Sequence, residues 1–283
     1  MKRLIAVLVF VLFFNVCVGA LPFIDEPNTC DCNCVCPEPE PLPVAYLFDD
    51  FNDAFDLAWI ILNEDESHWS FDTEPNSLTI TTQQGTFENS NNSHKNVFLT
   101  HFPVSQALDF QVTTCISNFQ PQELFNQAGL LLWFDQDNYL KFDYEYGYGP
   151  TASSKKIIFA AGLEASGITQ HAWFYADPFP QTVWLRIIKR GDTCKLYNSI
   201  DGIDFNPVIS LGGSSLTEDN TIPCLNVPVT HIGIFASNDT ISYAPDVDAS
   251  FEYFEFKTLA KELSIPEEPN NEPDPGDTTG PLF

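Results

Sequence analysis

The chain has 283 residues, of which 39 are Asp or Glu and 12 are Lys or Arg, for a formal net charge of −27. A polyanion of this size cannot hold nucleic acid by neutralising phosphates, which takes clustered Lys and Arg, and the same sign repels anionic membrane surfaces. An acidic surface suits neutral ligands, cations or basic partners, or keeps an exported protein in solution.

The first element in chain order reads as an export leader over residues 1–20. Lys2 and Arg3 precede an apolar run from Leu4 to Val18 that only Asn15 interrupts, and Val18-Gly19-Ala20 supplies the compact residues of a signal-peptidase site. The run falls short of the roughly 20 apolar residues that span a bilayer. No later segment is as apolar, so no membrane insertion is expected. Loss of the leader removes two cations and no acid, taking the net charge from −27 to about −29. The mature chain is read as secreted.

Residues 21–43 lack a hydrophobic period and are rich in Cys and Pro, as in an extended linker. Cys30, Cys32, Cys34 and Cys36 alternate strictly with other residues. Side chains at i and i+2 of an extended chain sit about 6.5–7 Å apart, an awkward separation for bridging one another. Bridges between chains, giving a disulfide-linked homo-oligomer, are the first expectation. Intrachain pairing and a soft metal held by thiolates are the alternatives. Seven cysteines stay after Cys17 leaves with the leader, an odd number that leaves one thiol free or paired between chains.

Residues 44–258 read as one all-β unit. Short runs at 77–82, 96–102, 109–119, 128–134, 138–146, 155–162, 183–190, 194–200, 231–237 and 249–256 carry strand patterning, divided by polar or Gly/Pro punctuation. No run has a convincing helical period. Ten or more short strands imply a sandwich or a barrel. In the run 128–134, Leu130, Leu132 and Phe134 share one face, while Leu131 and Trp133 share the other. Asp135-Gln-Asp-Asn138 is turn chemistry. In the next run Tyr139, Lys141, Asp143 and Glu145 share a face that is expected to be solvated. Leu140, Phe142, Tyr144 and Tyr146 take the opposite one. From residue 259 to 283 the chain is acidic and Pro-rich, and it is read as disordered.

Four stretches carry a resemblance: "FDDFNDAFDLAW" (48–59), "NQAGLLLWFDQDNYLKFDYE" (126–145), "VWLRIIKRGDTCKLYNSIDGIDF" (183–205) and "IGIFAS…ASFEYFEF" (232–256). Together they resemble the concanavalin A-like lectin/glucanase sandwiches. More narrowly, they resemble the group called DUF1349, related to the C-terminal sandwich domain of family 43 β-xylosidases. The resemblance implies a two-sheet antiparallel jelly-roll sandwich. Relatives of this fold often bind glycans, although fold alone does not assign function. Unlike the enzyme-attached examples, the chain shows no catalytic domain ahead of the sandwich.

Hydrolysis of a glycoside needs two carboxylates flanking the scissile bond. The single-strand Glu-x-Asp-x-x-Glu arrangement of laminarinase-like relatives is missing, and Asp143 with Glu145 is an i, i+2 pair that an acidic chain produces by chance. The histidines at 68, 94, 101, 171 and 231 are scattered, without a nucleophile motif. The chain is therefore read as no enzyme. Sugar rings stack on aromatic planes while polar groups fix their hydroxyls. Trp173, Phe174 and Tyr175 in one loop-like stretch, Tyr146 and Tyr148 in another, and Trp69 are the candidate carbohydrate-binding residues. Packing under long loops is the competing reading for all six.

Sandwiches of this fold often hold calcium where the first and last strands meet. Asp49, Asp50 and Asp248 are the candidate ligands, with Asp53 and Asp246 nearby, for a hard cation that wants several oxygens. Cys194 with Cys224 is the preferred disulfide, since it ties the 206–230 insertion to a strand; Cys115 with Cys194 is a close rival. Asn91 and Asn238 stand in N-glycosylation sequons. The expected partner is a glycan or extracellular polysaccharide, bound by a non-enzymatic lectin-like module. An extracellular structural or interaction protein without a sugar site is the second reading, and a glycoside hydrolase is the third.

Overall fold

The computed structural model describes residues 45–88, 91–102, 109–148, 155–176, 180–212, 215–216, 220–224 and 228–259. The leader, Cys30 to Cys36 and the tail lie outside these residues. In chain order the strands are β1 (Tyr46–Asp49), β2 (Trp59–Leu62), β3 (Trp69–Ser70), β4 (Leu78–Thr81), β5 (Val97–His101) and β6 (Phe110–Ser117). They continue with β7 (Gln127–Asp135), β8 (Asn138–Tyr148), β9 (Lys155–Ala165), β10 (Ile168–Tyr175) and β11 (Val183–Arg190). The last are β12 (Thr193–Ser199), β13 (Asn206–Pro207), β14 (Thr221–Pro223), β15 (His231–Ser237) and β16 (Asp248–Thr258). The described helical element is a single 3-10 turn, Glu66–His68. Each run that the sequence marks as a strand is one. The stretch around Trp173, expected as a loop, is instead strand β10.

All pairings are antiparallel, in two sheets. The nine-stranded sheet runs β13-β12-β11-β6-β16-β4-β3, with β1 added to β16 and β14 to β12. The seven-stranded sheet runs β10-β9-β8-β7-β15-β5-β2. Alternation places Val112, Ile116, Leu185, Phe254 and Phe256 of the first sheet against Leu130, Leu132, Leu140, Phe142 and Ile234 of the second in one core. A fully buried Phe or Leu stabilises the fold by about 1.5–3 kcal/mol, so this apolar seam dominates the energetics.

One carboxylate organises the entry into the sandwich. Asp49 is fully buried and accepts from the backbone N–H of Phe51, Asp56 and Leu57, at 3.0, 3.0 and 3.1 Å. The Trp59 indole N–H adds a fourth bond at 2.8 Å. Trp59 thereby packs edge-on against Phe98 and Phe254. Trp69 joins this aromatic group, 5.7 Å from both Phe55 and Phe98. It is a core-edge residue, which removes it from the candidate sugar platform.

The outer face of the seven-stranded sheet is not the solvated face that the alternation of β8 suggests. Tyr139, Lys141, Asp143 and Glu145 point there, and all four are buried. Leu131, Trp133, Tyr139 and Phe235 form a second apolar cluster on that face, covered by Phe87. Phe87 comes from residues 82–88, which with 91–96 fold over the sheet. Gly85 N–H donates to the Asp239 carbonyl, and Ser237 Oγ donates to the Gly85 carbonyl. His94 stacks on Phe87 at 4.4 Å. Periodicity reports which residues share a face. It does not report that a distant loop covers that face, and this is the reason for the difference.

Candidate functional site

Register across the seven-stranded sheet sets the residues of the outer face in rows. Gly233, Leu131, Lys141, Gly162 and His171 form one row across β15, β7, β8, β9 and β10. Phe235, Gly129, Asp143, Ala160 and Trp173 form the next, and Ser237, Gln127, Glu145, Ile158 and Tyr175 the third. Small Ala160 lines a hollow in the middle of the face, while Gly162 and Gly129 are covered by neighbours on β8. A Cβ on Gly162 would come within 2.9 Å of the Lys141 side chain, and one on Gly129 within 2.6 Å of Asp143 Cα. The missing side chain at Gly162 gives the Lys141 stem room to lie across β9, and the one at Gly129 lets the β8 backbone approach closely.

The hollow encloses about 520 Å³. Lys141 and Glu145 form its floor. His171 and Trp173 rise on one side, with their rings stacked at 6.0 Å and 11° apart. Glu88 and Asn91 enter from the covering segment, Asp239 and Thr240 from the turn after β15, and Phe125 with Tyr148 close one end, ring edge to ring face at 5.8 Å.

The floor is a buried charge network. Lys141 Nζ donates to Gln127 Oε1 and lies 3.3 Å from Asp143 Oδ2. Burial opposes the ammonium, but the charges of Asp143, Glu145, Glu88 and Asp239 outweigh it and raise its pKa above the usual lysine range. Burial lifts the Asp143 carboxyl above its ordinary range, with Lys141 pulling the other way. Glu145 is lifted further, by burial and then by the charge of Asp143, so the two carboxyls do not both ionise readily. Glu88 is raised by burial, partly offset by Lys141. His171, 3.4 Å from Glu88 Oε1, is lowered to about 4 by burial and by Lys141. At neutral pH it is an uncharged ring.

The six expected sugar contacts divide. Trp173 and Tyr148 line the hollow. Phe174 alternates to the opposite side of β10, is fully buried in the core, and cannot meet a ligand. Tyr146 shares the face of Phe142 and Tyr144 and is absent from the lining of the hollow. Tyr175 is 45 % exposed and borders a smaller depression of about 250 Å³ with Ile200, Pro207 and Ile209. Sequence reasoning missed Glu88, His171 and Asp239. His171 stands two residues before Trp173, a same-face spacing that a strand assignment there would have exposed. Glu88 and Asp239 lie in turns without period.

Of the three expected calcium ligands, Asp49 and Asp50 lie together and Asp248 does not join them. β1 and β16 do pair, but in a register that sets Asp49 opposite Phe254. Asp248 is six residues further along, about 20 Å away at strand rise, and accepts from Thr81 Oγ1 at 2.6 Å. Asp49, Asp50 and Asp56 do bring carboxylate oxygens within 4.8 Å of one another; both Asp49 oxygens, however, already accept internal hydrogen bonds. Cys194 and Cys224 form the expected disulfide, and Cys115 is a free, buried thiol. Asn91 is exposed. Asn238 is 1 % exposed and hydrogen-bonded on both sides of its amide, so the folded sandwich has no room for a glycan there. No described helix is long and apolar enough to cross a membrane.

Two antiparallel sheets with this order, around a single inter-sheet core, define a concanavalin A-like sandwich. The family model described as the β-xylosidase C-terminal concanavalin A-like domain matches residues 48–257. The chain belongs to that family. Among solved structures it is similar to a family GH43 protein of Bacillus licheniformis, at 20 % identity and TM-score 0.58, over 75 % of this chain and 39 % of that one. It is also similar to a xylan β-1,4-xylosidase of Bacillus halodurans, at 18 % identity and TM-score 0.51, over 85 % and 41 %. A functionally unknown protein of Saccharomyces cerevisiae aligns at 13 % identity and TM-score 0.50, over 72 % of this chain and 97 % of that one. At these identities the likeness concerns the fold. The chain spans about two fifths of the length of the two bacterial proteins. No curated protein matches it at a significant level.

Proposed function

We propose that the protein is a secreted, non-enzymatic, lectin-like module that binds carbohydrate in the hollow on the outer face of its seven-stranded sheet. The observation that carries the reading is the Trp173–His171 aromatic wall standing beside a floor of buried polar groups. An apolar plane for the C–H face of a sugar and fixed polar atoms for its hydroxyls are what such a ligand requires. Membership in a family named for the C-terminal domain of xylosidases, rather than for their catalytic domain, supports a binding role over hydrolysis. Asp143 faces Lys141 beneath the surface, which suits a structural carboxylate better than a hydrolytic one. The leader supports export. Bridges through Cys30 to Cys36 would cluster weak sites into an avid oligomer.

The test is a glycan-array screen of the full chain, with calcium and with chelator, followed by titration of Trp173→Ala. Loss of at least about tenfold in affinity is expected, the scale of an aromatic anchor worth about 1.4 kcal/mol. Retention unchanged in that variant would reject this site. Exposed Ile200 and Ile209, beside Tyr175, favour the second reading, an interaction protein whose partner covers an apolar surface. Silence across the array with capture of a protein partner through those residues would support it.

A further inference from the structure

The hollow carries charge that a neutral sugar does not use. Lys141 is already committed to Asp143 and Gln127. His171 is neutral near pH 7 and offers no cation. Three carboxyls line the hollow against that one paired ammonium: Glu88, Glu145 and Asp239. Asp239 is 8 % exposed, and no described group donates a hydrogen bond to its carboxylate, although it faces the hollow. Its carboxylate meets the hollow rather than a protein donor, which leaves it open to a charged donor from a ligand.

We infer that the ligand is a cationic amino sugar, a glucosamine-type residue with a free ammonium, its ring against Trp173 and its ammonium directed to Glu88 and Asp239. The inference rests on the carbohydrate reading above and specifies the ligand class for the same hollow. Charge-assisted hydrogen bonds are roughly twice as strong as neutral ones, so the ammonium adds affinity that an acetylated amine cannot. A uronic acid adds negative charge to an acidic lining whose one ammonium, Lys141, is already paired, and is rejected.

Calorimetric titration of the full chain at about pH 6 decides the matter. The panel is three oligosaccharides of equal length, made of β-1,4-linked glucosamine, β-1,4-linked N-acetylglucosamine or galacturonate, with spermine as an ammonium carrier that has no sugar ring. The glucosamine oligomer should bind about tenfold tighter than its acetylated counterpart, a difference of about 1.4 kcal/mol, and weaken as salt is raised. Glu88→Gln and Asp239→Asn should bring that ratio to within about twofold, on protein whose unfolding transition is checked first. Acetylated oligomer binding as tightly as the free amine, or galacturonate binding best, overturns the amino-sugar inference and leaves the carbohydrate reading standing. Spermine binding as tightly as the glucosamine oligomer overturns the sugar part. Binding of no oligosaccharide overturns both.

Discussion

Lys141 Nζ and Asp143 Oδ2 lie 3.3 Å apart on one strand, both side chains buried, Lys141 in the floor of the hollow and Asp143 outside its lining. Residues i and i+2 share a face of a strand, so β8 itself sets this pair side by side. Breaking a buried pair by removing one partner leaves an uncompensated charge and costs about 3–5 kcal/mol. Lys141→Met should therefore lower unfolding stability by about 3 kcal/mol or more, measured by urea denaturation. Adding Asp143→Asn should recover a large part of it. A double variant no more stable than Lys141→Met alone would show that the lysine acts by packing rather than by charge.

A second consequence concerns acid. His94 is fully buried, stacked on Phe87 and 5.9 Å from Trp133. Burial lowers its pKa to about 4, with a smaller push from Lys95 and an opposing contribution from the Thr86 carbonyl. The unfolded chain binds this proton below its model value of 6.5, whereas the folded chain waits until about pH 4. Between those values the unfolded state holds more protons, so stability is present above pH 6.5 and is lost as pH falls toward 4. The shift corresponds to at most about 3.4 kcal/mol. His94→Gln should flatten the wild-type slope across that window. An unchanged slope would place the acid sensitivity elsewhere.

Much of this architecture is legible in the sequence, and the illegible part has a definite physical origin. The turn at Asp135 to Asn138 and the two faces of 128–134 follow from local chemistry: Leu130 and Leu132 enter the inter-sheet core, Leu131 and Trp133 the outer cluster. The disulfide followed from the need to anchor an insertion. Burial of Lys141 and Glu145 does not follow, since it depends on residues 82–88 and 91–96 covering the sheet through the Gly85–Asp239 pairing, more than 150 residues apart in sequence. Trp173 was selected for the right chemistry in the wrong setting. As a strand residue it faces the hollow, whereas Phe174 must then face the core. Acidity makes Asp49 a metal-ligand candidate in the sequence, whereas in the fold its two oxygens accept from four internal donors.

The Cys194–Cys224 bridge yields a stability prediction of its own. It closes a loop with sequence separation 30, from β12 to the strand-end after β14. Constraining a loop of that length removes unfolded-state entropy worth about 3.5 kcal/mol. The paired substitution Cys194→Ala with Cys224→Ala should lower the urea midpoint accordingly while the β-sheet circular dichroism is retained. A midpoint unchanged by the substitution would mean that the 206–224 segment is held by its own contacts, such as Leu211 N–H to the Trp173 carbonyl at 2.9 Å.

The two sequons differ in a way that the secretory pathway can report. Asn238 Nδ2 donates to Asp246 Oδ1 at 3.1 Å, and its Oδ1 accepts from Asn126 Nδ2 at 2.6 Å. Attaching a glycan to that nitrogen would break a buried polar network and force a bulky group into the sandwich. Asn91 is exposed and stands at the rim of the hollow. Produced in a glycosylating host, the folded protein should carry sugar at Asn91 and not at Asn238, as read by peptide mapping. Asn91→Gln should abolish the gel shift given by endoglycosidase. A glycan at Asn91 would also crowd the ligand, so its enzymatic removal should raise oligosaccharide affinity. Folded material occupied at Asn238, with an unaltered melting temperature, would contradict the burial of that side chain and with it the packing of the turn that carries Asp239.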